Sequence, residues 1–135
     1  MTKAIITKTS DEKILIKRYW SNGQKKYEGS YNEMLNELVD EKNGTKITLK
    51  NYETRDKNKD GKCIWWFENG QKESEMNFKR GKLDGMGTSW HNNGKIAIKG
   101  NYKDGKAEGK WIAWYGNGQK KYEEDRTDIK ANYNG

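Results

Sequence analysis

Asp56, Asn58 and Asp60 stand at alternate positions before Gly61, the order in which the oxygen ligands of a calcium loop converge ahead of its glycine turn. The closing bidentate carboxylate of such a loop falls at Phe67, and Lys57 and Lys59 are interleaved with the acids. Asp60-Gly61 is also part of a turn that the chain repeats, so the segment reads as that turn rather than as a cation site. His91 and Cys63, the single His and the single Cys, are a base and a nucleophile by type. Nothing in the sequence supplies a third residue to orient them, and both occupy strand-like positions. One Cys permits neither an intramolecular disulfide nor a cysteine metal cluster, which is compatible with a reducing compartment. Glu28, Glu75 and Glu123 recur five residues after a turn glycine. Cross-strand pairing with the repeat lysines accounts for them better than acid–base chemistry does. The expectation is therefore a protein with no catalytic residue, no metal and no cofactor.

Composition points the same way. The chain has 135 residues, 31% hydrophobic and 35% charged, with 27 Lys plus Arg against 20 Asp plus Glu and a mean hydropathy of -1.33. That apolar content cannot fill a thick two-layer core, which argues against a deep catalytic pocket. Six Trp and eight Tyr argue equally against disorder. A net charge of +7 beside so many rings suits nucleic acid, with lysines on phosphates and rings on bases. The charge is spread along the chain, however, and Arg18, Arg55, Arg80 and Arg126 are its whole supply of arginine. Nucleic acid or anionic phospholipid headgroups are accordingly the alternative partners. In the opening segment only Ala4, Ile5 and Ile6 run together, far short of a signal core or a spanning helix, so a cytoplasmic protein without a transmembrane segment is expected.

Internal repetition organises the rest. Asn-Gly occurs at Asn22-Gly23, Asn43-Gly44, Asn69-Gly70, Asn93-Gly94 and Asn117-Gly118, the last three 24 residues apart. A Trp lies three residues before the Asn at Trp66, Trp90 and Trp114, and two before it at Trp20. An aromatic follows eight residues after the Gly at Tyr31, Tyr52, Phe78 and Tyr102, and another Gly precedes the Trp at Gly61, Gly85 and Gly109. Asn-Gly is suited to the two positive-φ positions of a type I′ turn, so each unit is predicted to be a β-hairpin. The segments Gly81 to Gly85 and Gly105 to Gly109 turn the chain back again, making a meander. Alternation places Ile64, Trp66 and Glu68 on one face and Cys63, Trp65 and Phe67 on the other. Stacked copies would align Trp66, Trp90 and Trp114 in one ladder, with Phe78 and Tyr102 in a second beside it, and such rings can replace a thick core.

These units resemble MORN repeats, specifically the bacterial variant patterned W-x-x-N-G-Q-x-x-x-E-x-x-Y-x-x-G-x-x-x-G. Trp66, Asn69, Gly70, Gln71, Glu75, Phe78, Gly81 and Gly85 carry the pattern, with weaker copies at Trp90 to Gly109 and Trp114 to Glu123. The resemblance implies an antitoxin-type component of a toxin and antitoxin system, or a binder of phospholipids or partner proteins. It implies no chemistry.

The fold expected is all-β, an open single-layer antiparallel β-hairpin repeat array. Residues 31–44 are open between one short helix, with Met34, Leu35, Leu38 and Val39 on one side, and a further hairpin. The opening residues read as a hairpin turning at Ser10 to Lys13. Residues 1–60 would hold that hairpin and the degenerate repeats, and residues 61–135 the regular repeats with a C-terminal cap, in a single structural domain. The function expected is a non-enzymatic protein-binding module that neutralises a cognate toxin or effector, such as a nuclease. Its expected contacts are the rings exposed on one face, Tyr27, Trp66, Trp90, Trp114 and Tyr122, with Lys72 and Lys120 beside them. Open edges at both ends also leave room for a homodimer.

Overall fold

A computed structural model describes residues 3–8, 13–32 and 59–127. Among them are ten strands: β1 Lys3–Lys8, β2 Lys13–Tyr19, β3 Lys25–Asn32, β4 Lys59–Trp66, β5 Lys72–Lys79, β6 Lys82–Leu83, β7 Gly85–Trp90, β8 Ile96–Lys103, β9 Lys106–Trp114 and β10 Lys120–Asp125. They form one open antiparallel sheet in chain order, β6 pairing only with β5. The architecture is the all-β, single-layer hairpin array that the repeats predict. β1 pairs with β2 as the opening hairpin. Tyr31 and Asn32 end β3, so no helix begins there, and residues 33–44 lie outside the described residues, as does the Asn43-Gly44 copy.

The turns are distributed differently from the sequence reading. At the Asn-Gly ends, Gly23 N donates to Trp20 O at 2.9 Å and Trp20 N to Gln24 O at 2.8 Å, and the same pair of bonds recurs at Phe67, His91 and Tyr115. Only the glycine of each described Asn-Gly has positive φ, 89–92°. This is a three-residue loop, a type I turn closed by a glycine bulge, not a type I′ turn. Type I′ turns sit at the opposite sheet edge, where Arg80 and Gly81 (φ 52° and 83°) and Asp104 and Gly105 (φ 50° and 85°) both turn left-handed. The asparagine is therefore selected for its side chain. Asn69 Oδ1 accepts from Gln71 N and Asn69 Nδ2 donates to Asn92 O of the next hairpin, both at 2.9 Å. Asn22 reaches Glu68 O and Asn93 reaches Gly116 O in the same way, at 2.9 and 2.8 Å.

The bond pattern also corrects the position of Trp20. It occupies the place of Phe67, His91 and Tyr115, while Tyr19, paired with Lys25, stands where Trp66, Trp90 and Trp114 stand in later hairpins. In each hairpin one residue after the loop is bulged out of register: Lys26, Glu73, Ala97 and Lys121.

Register and alternation separate two faces. One carries Ile6, Ile14, Ile16, Tyr27, Tyr31, Cys63, Trp65 and Phe78, which form the main core cluster, and farther along Tyr102, Trp111 and Ala113. On this face glycines make room for rings laid flat. A Cβ at Gly29 would overlap the Tyr27 phenol, and one at Gly100 would overlap the Trp111 indole. The other face carries Glu28, Ile64, Glu75, Thr88, Lys99, Ile112 and Glu123 across the strands. No helix of the described residues is long and apolar enough to cross a membrane.

Candidate functional site

The bulge after each loop reverses strand alternation, so the residue just past the loop shares a face with the residue three places on. Lys25 thereby reaches Glu28 at 3.0 Å, Lys72 reaches Glu75 at 2.8 Å and Lys120 reaches Glu123 at 2.9 Å. The repeated glutamates are thus paired with lysines, but the short contacts lie within one strand rather than across strands as expected; Lys62 and Lys110 approach Glu75 and Glu123 from the neighbouring strand at 3.6 and 3.5 Å. Hydrogen bonding from Lys72 holds the Glu75 carboxyl below its ordinary range, and Lys120 does the same for Glu123.

Two of these lysines, Lys25 and Lys72, serve a second purpose, because they lean toward the next hairpin. Lys25 Nζ lies 5.2 Å from the Trp66 ring centre and Lys72 Nζ 5.7 Å from that of Trp90. The Trp rings therefore form a row without stacking on one another: a lysine lies over the ring in two hairpins, a cation–π arrangement. Backbone support comes from ring nitrogens. Trp20 Nε1 donates to Trp66 O at 3.2 Å, and His91 Nε2 lies 2.9 Å from Trp114 O. His91 is thus a strut between hairpins, while Cys63 is fully buried against Tyr27, so the two are not arranged as base and nucleophile.

Of the expected contact residues, Trp66, Trp90 and Trp114 occupy equivalent half-buried positions on one face, with Lys72 and Lys120 on that face. Tyr27 and Tyr122 lie on the opposite face, so the seven do not form one surface. Tyr27 is 8% exposed and belongs to the core; its hydroxyl meets that of Tyr31 at 2.6 Å, and burial pushes its pKa far above the ordinary tyrosine value. Tyr122 is held by Arg126, whose Nη2 donates to its hydroxyl at 3.0 Å while the guanidinium lies 4.7 Å from the centre of Trp111. Phe78 and Tyr102 also fall on the core face, across the sheet from the Trp row rather than beside it.

Two features escaped the sequence reading. On the core face Arg18, Lys26 and Lys59 line a cavity of about 190 Å³ together with Tyr27, Tyr31 and Trp65. At the type I′ edge, Asp60 accepts from Arg80 N at 3.0 Å and pairs with Lys13 at 2.9 Å. Burial alone would raise the Asp60 pKa, but these partners outweigh it and lower it. Asp60 is thus a structural carboxylate, and Asp56 and Asn58 lie outside the described residues. The recurrence of an acid one residue before Gly61, Gly85 and Gly109 was the available signal.

A family model described as the MORN repeat variant matches residues 15–33, 59–80, 83–104 and 107–126, each stretch enclosing one Asn-Gly hairpin. No curated protein and no solved structure matches the chain.

Proposed function

We propose, from the premise that this chain belongs to the MORN repeat variant family, that it neutralises a cognate protein partner as an antitoxin, immunity protein or effector inhibitor, nucleases being among the effectors it would block. MORN repeats are protein- or lipid-binding modules rather than catalytic ones. The observation that carries the proposal is the row of Trp66, Trp90 and Trp114, set at equivalent positions by a hydrogen-bonded ladder between hairpins. Tryptophan is a favoured anchor of protein interfaces, and anchors already fixed before binding avoid much of the ordering cost of association. Such a surface inhibits by covering its partner and needs no chemistry of its own.

Affinity capture from the native cell extract, at low and high salt and with added nuclease, tests the reading. One protein retained in stoichiometric amount under all conditions, and lost with Trp90→Ala, is the expected result. Material retained only at low salt, or only without nuclease, refutes it.

The core-face cavity favours a second reading. Three cations and three rings in one lining suit an anionic group, in a nucleic acid or a phospholipid headgroup. Under this reading binding falls steeply with salt and is insensitive to the Trp row.

A further inference from the structure

Among the described residues, one hairpin departs from the arrangement at the Asn-Gly edge. Two residues after the turn glycine stand Lys25, Lys72 and Lys120, and three residues farther on Glu28, Glu75 and Glu123. In the hairpin of β7 and β8 these positions hold Ile96 and Lys99. Both replacements fall on the same strand and change the same corner of the surface. Where Lys25 lies over Trp66 and Lys72 over Trp90, Ile96 takes the corresponding place beside Trp114. Gly94, Lys95, Ile96, Trp114 and Gly118 line an open notch of about 480 Å³. Its two glycines put no side chain into the space, and Lys95 lies against Gly118, donating to Asn117 O at 3.3 Å.

The second replacement changes the charge. Lys99 faces Thr88 on one neighbouring strand and Ile112 on the other. Among the described residues it has no carboxylate partner, and Glu123 farther along the row is held by Lys120 and Lys110. Three of the described hairpins thus pair a glutamate with lysine, and this one presents an apolar wall beside a cation without a carboxylate partner among the described residues. An apolar side chain entering the notch would cover Trp114 as the lysine stems cover Trp66 and Trp90. A carboxylate next to that side chain would give Lys99 the partner it lacks.

We propose that the notch between Ile96 and Trp114 is the docking point for an acidic peptide segment of the partner, which inserts one large apolar side chain and pairs a neighbouring carboxylate with Lys99. The proposal rests on the protein-binding reading above and assigns its contact to one of the four described Asn-Gly hairpins.

The test uses the whole chain and its Ile96→Lys, Lys99→Glu double variant, which restores the side chains that the other three hairpins already accommodate. The probes are labelled decapeptides with one central Phe flanked by Glu, by Lys or by Ser. The native chain is expected to bind the Glu-flanked peptide at least tenfold more tightly than the Lys-flanked one, and the double variant, folded by circular dichroism, to lose that preference. Equal affinity for the three peptides, no binding of any, or an unchanged preference in the double variant overturns the assignment. The partner captured by the native chain is then offered to the double variant. Capture by both removes the notch from the interface and leaves the binding-module reading standing, whereas failure of the native chain to capture any partner removes that reading.

Discussion

Gly100→Ala is expected to destabilise the protein through one collision. The Gly100 backbone is ordinary extended strand, where alanine is conformationally acceptable, but its Cβ would fall inside the Trp111 indole. That ring is 4% exposed and held edge-on to Tyr102 at 5.0 Å between ring centres, with the Arg126 guanidinium over it. A tryptophan that lost its whole cover would re-expose about 150–250 Å², worth roughly 4–6 kcal/mol at about 25 cal/mol per Å². A ring that slides and strains its neighbours usually costs about 1–3 kcal/mol. We expect about 2–4 kcal/mol, between these limits, and at several degrees per kcal/mol a fall in melting temperature of roughly 10 °C. Thermal melting by circular dichroism, with Gly116→Ala as control, measures it. Gly116 has open space around its Cβ position and no positive φ, so its substitution should be neutral or stabilise by up to about 1 kcal/mol. A Gly100→Ala protein melting within 2 °C of the native one, about the precision of such a comparison, would refute the account of rings laid over glycines.

Asn93→Ala removes the bonds to Lys95 N and Gly116 O, and urea unfolding should show a loss of about 0.5–1.5 kcal/mol, since both bonds are exposed to water. Glu75 titrates below its unfolded value, so its pairing stabilises the fold above the ordinary carboxylate range and is lost as pH falls through the lower folded value. Lys72→Met should flatten that acid limb in pH-dependent melts, by less than about 1 kcal/mol for a pair so accessible to water. Tyr27 has a raised pKa, so stability should be intact below the unfolded tyrosine value near pH 10 and decline above it as the unfolded chain ionises. Spectrophotometric titration should show at least one tyrosine that ionises only on unfolding, and ionisation of every tyrosine in the folded chain would contradict the burial of Tyr27.

The array was legible because its signals are local. Turn glycines 24 residues apart and strands of alternating character place the hairpins without any distant contact. The opening β1–β2 hairpin and the lysine-paired glutamates followed from the same reasoning. The Asn-Gly turns are not type I′ as the dipeptide predicts, because asparagine is favoured both for left-handed backbone and for its side-chain amide, and only geometry separates the two uses. Trp20 stands one place out of the Trp row because its hairpin carries Tyr19 where the others carry Trp, a shift that spacing from Asn22 alone does not resolve. Tyr27 resembled an exposed anchor in sequence, yet register sets it over Gly29 and beside Trp65, at 5.2 Å between ring centres, inside the core.

By itself the sequence determined the repeat, the hairpins, the open sheet and the family to which they belong. Ile96 and Lys99 differ from the lysine and glutamate of the other described hairpins in sequence, but what they border follows only from the fold. The tertiary structure decided which rings share a face, because one bulged residue after each loop reverses the alternation on which every side-chain assignment depends. It also decided what lies over each ring, since Lys25 and Trp66 meet only when hairpins 41 residues apart in sequence are brought into register.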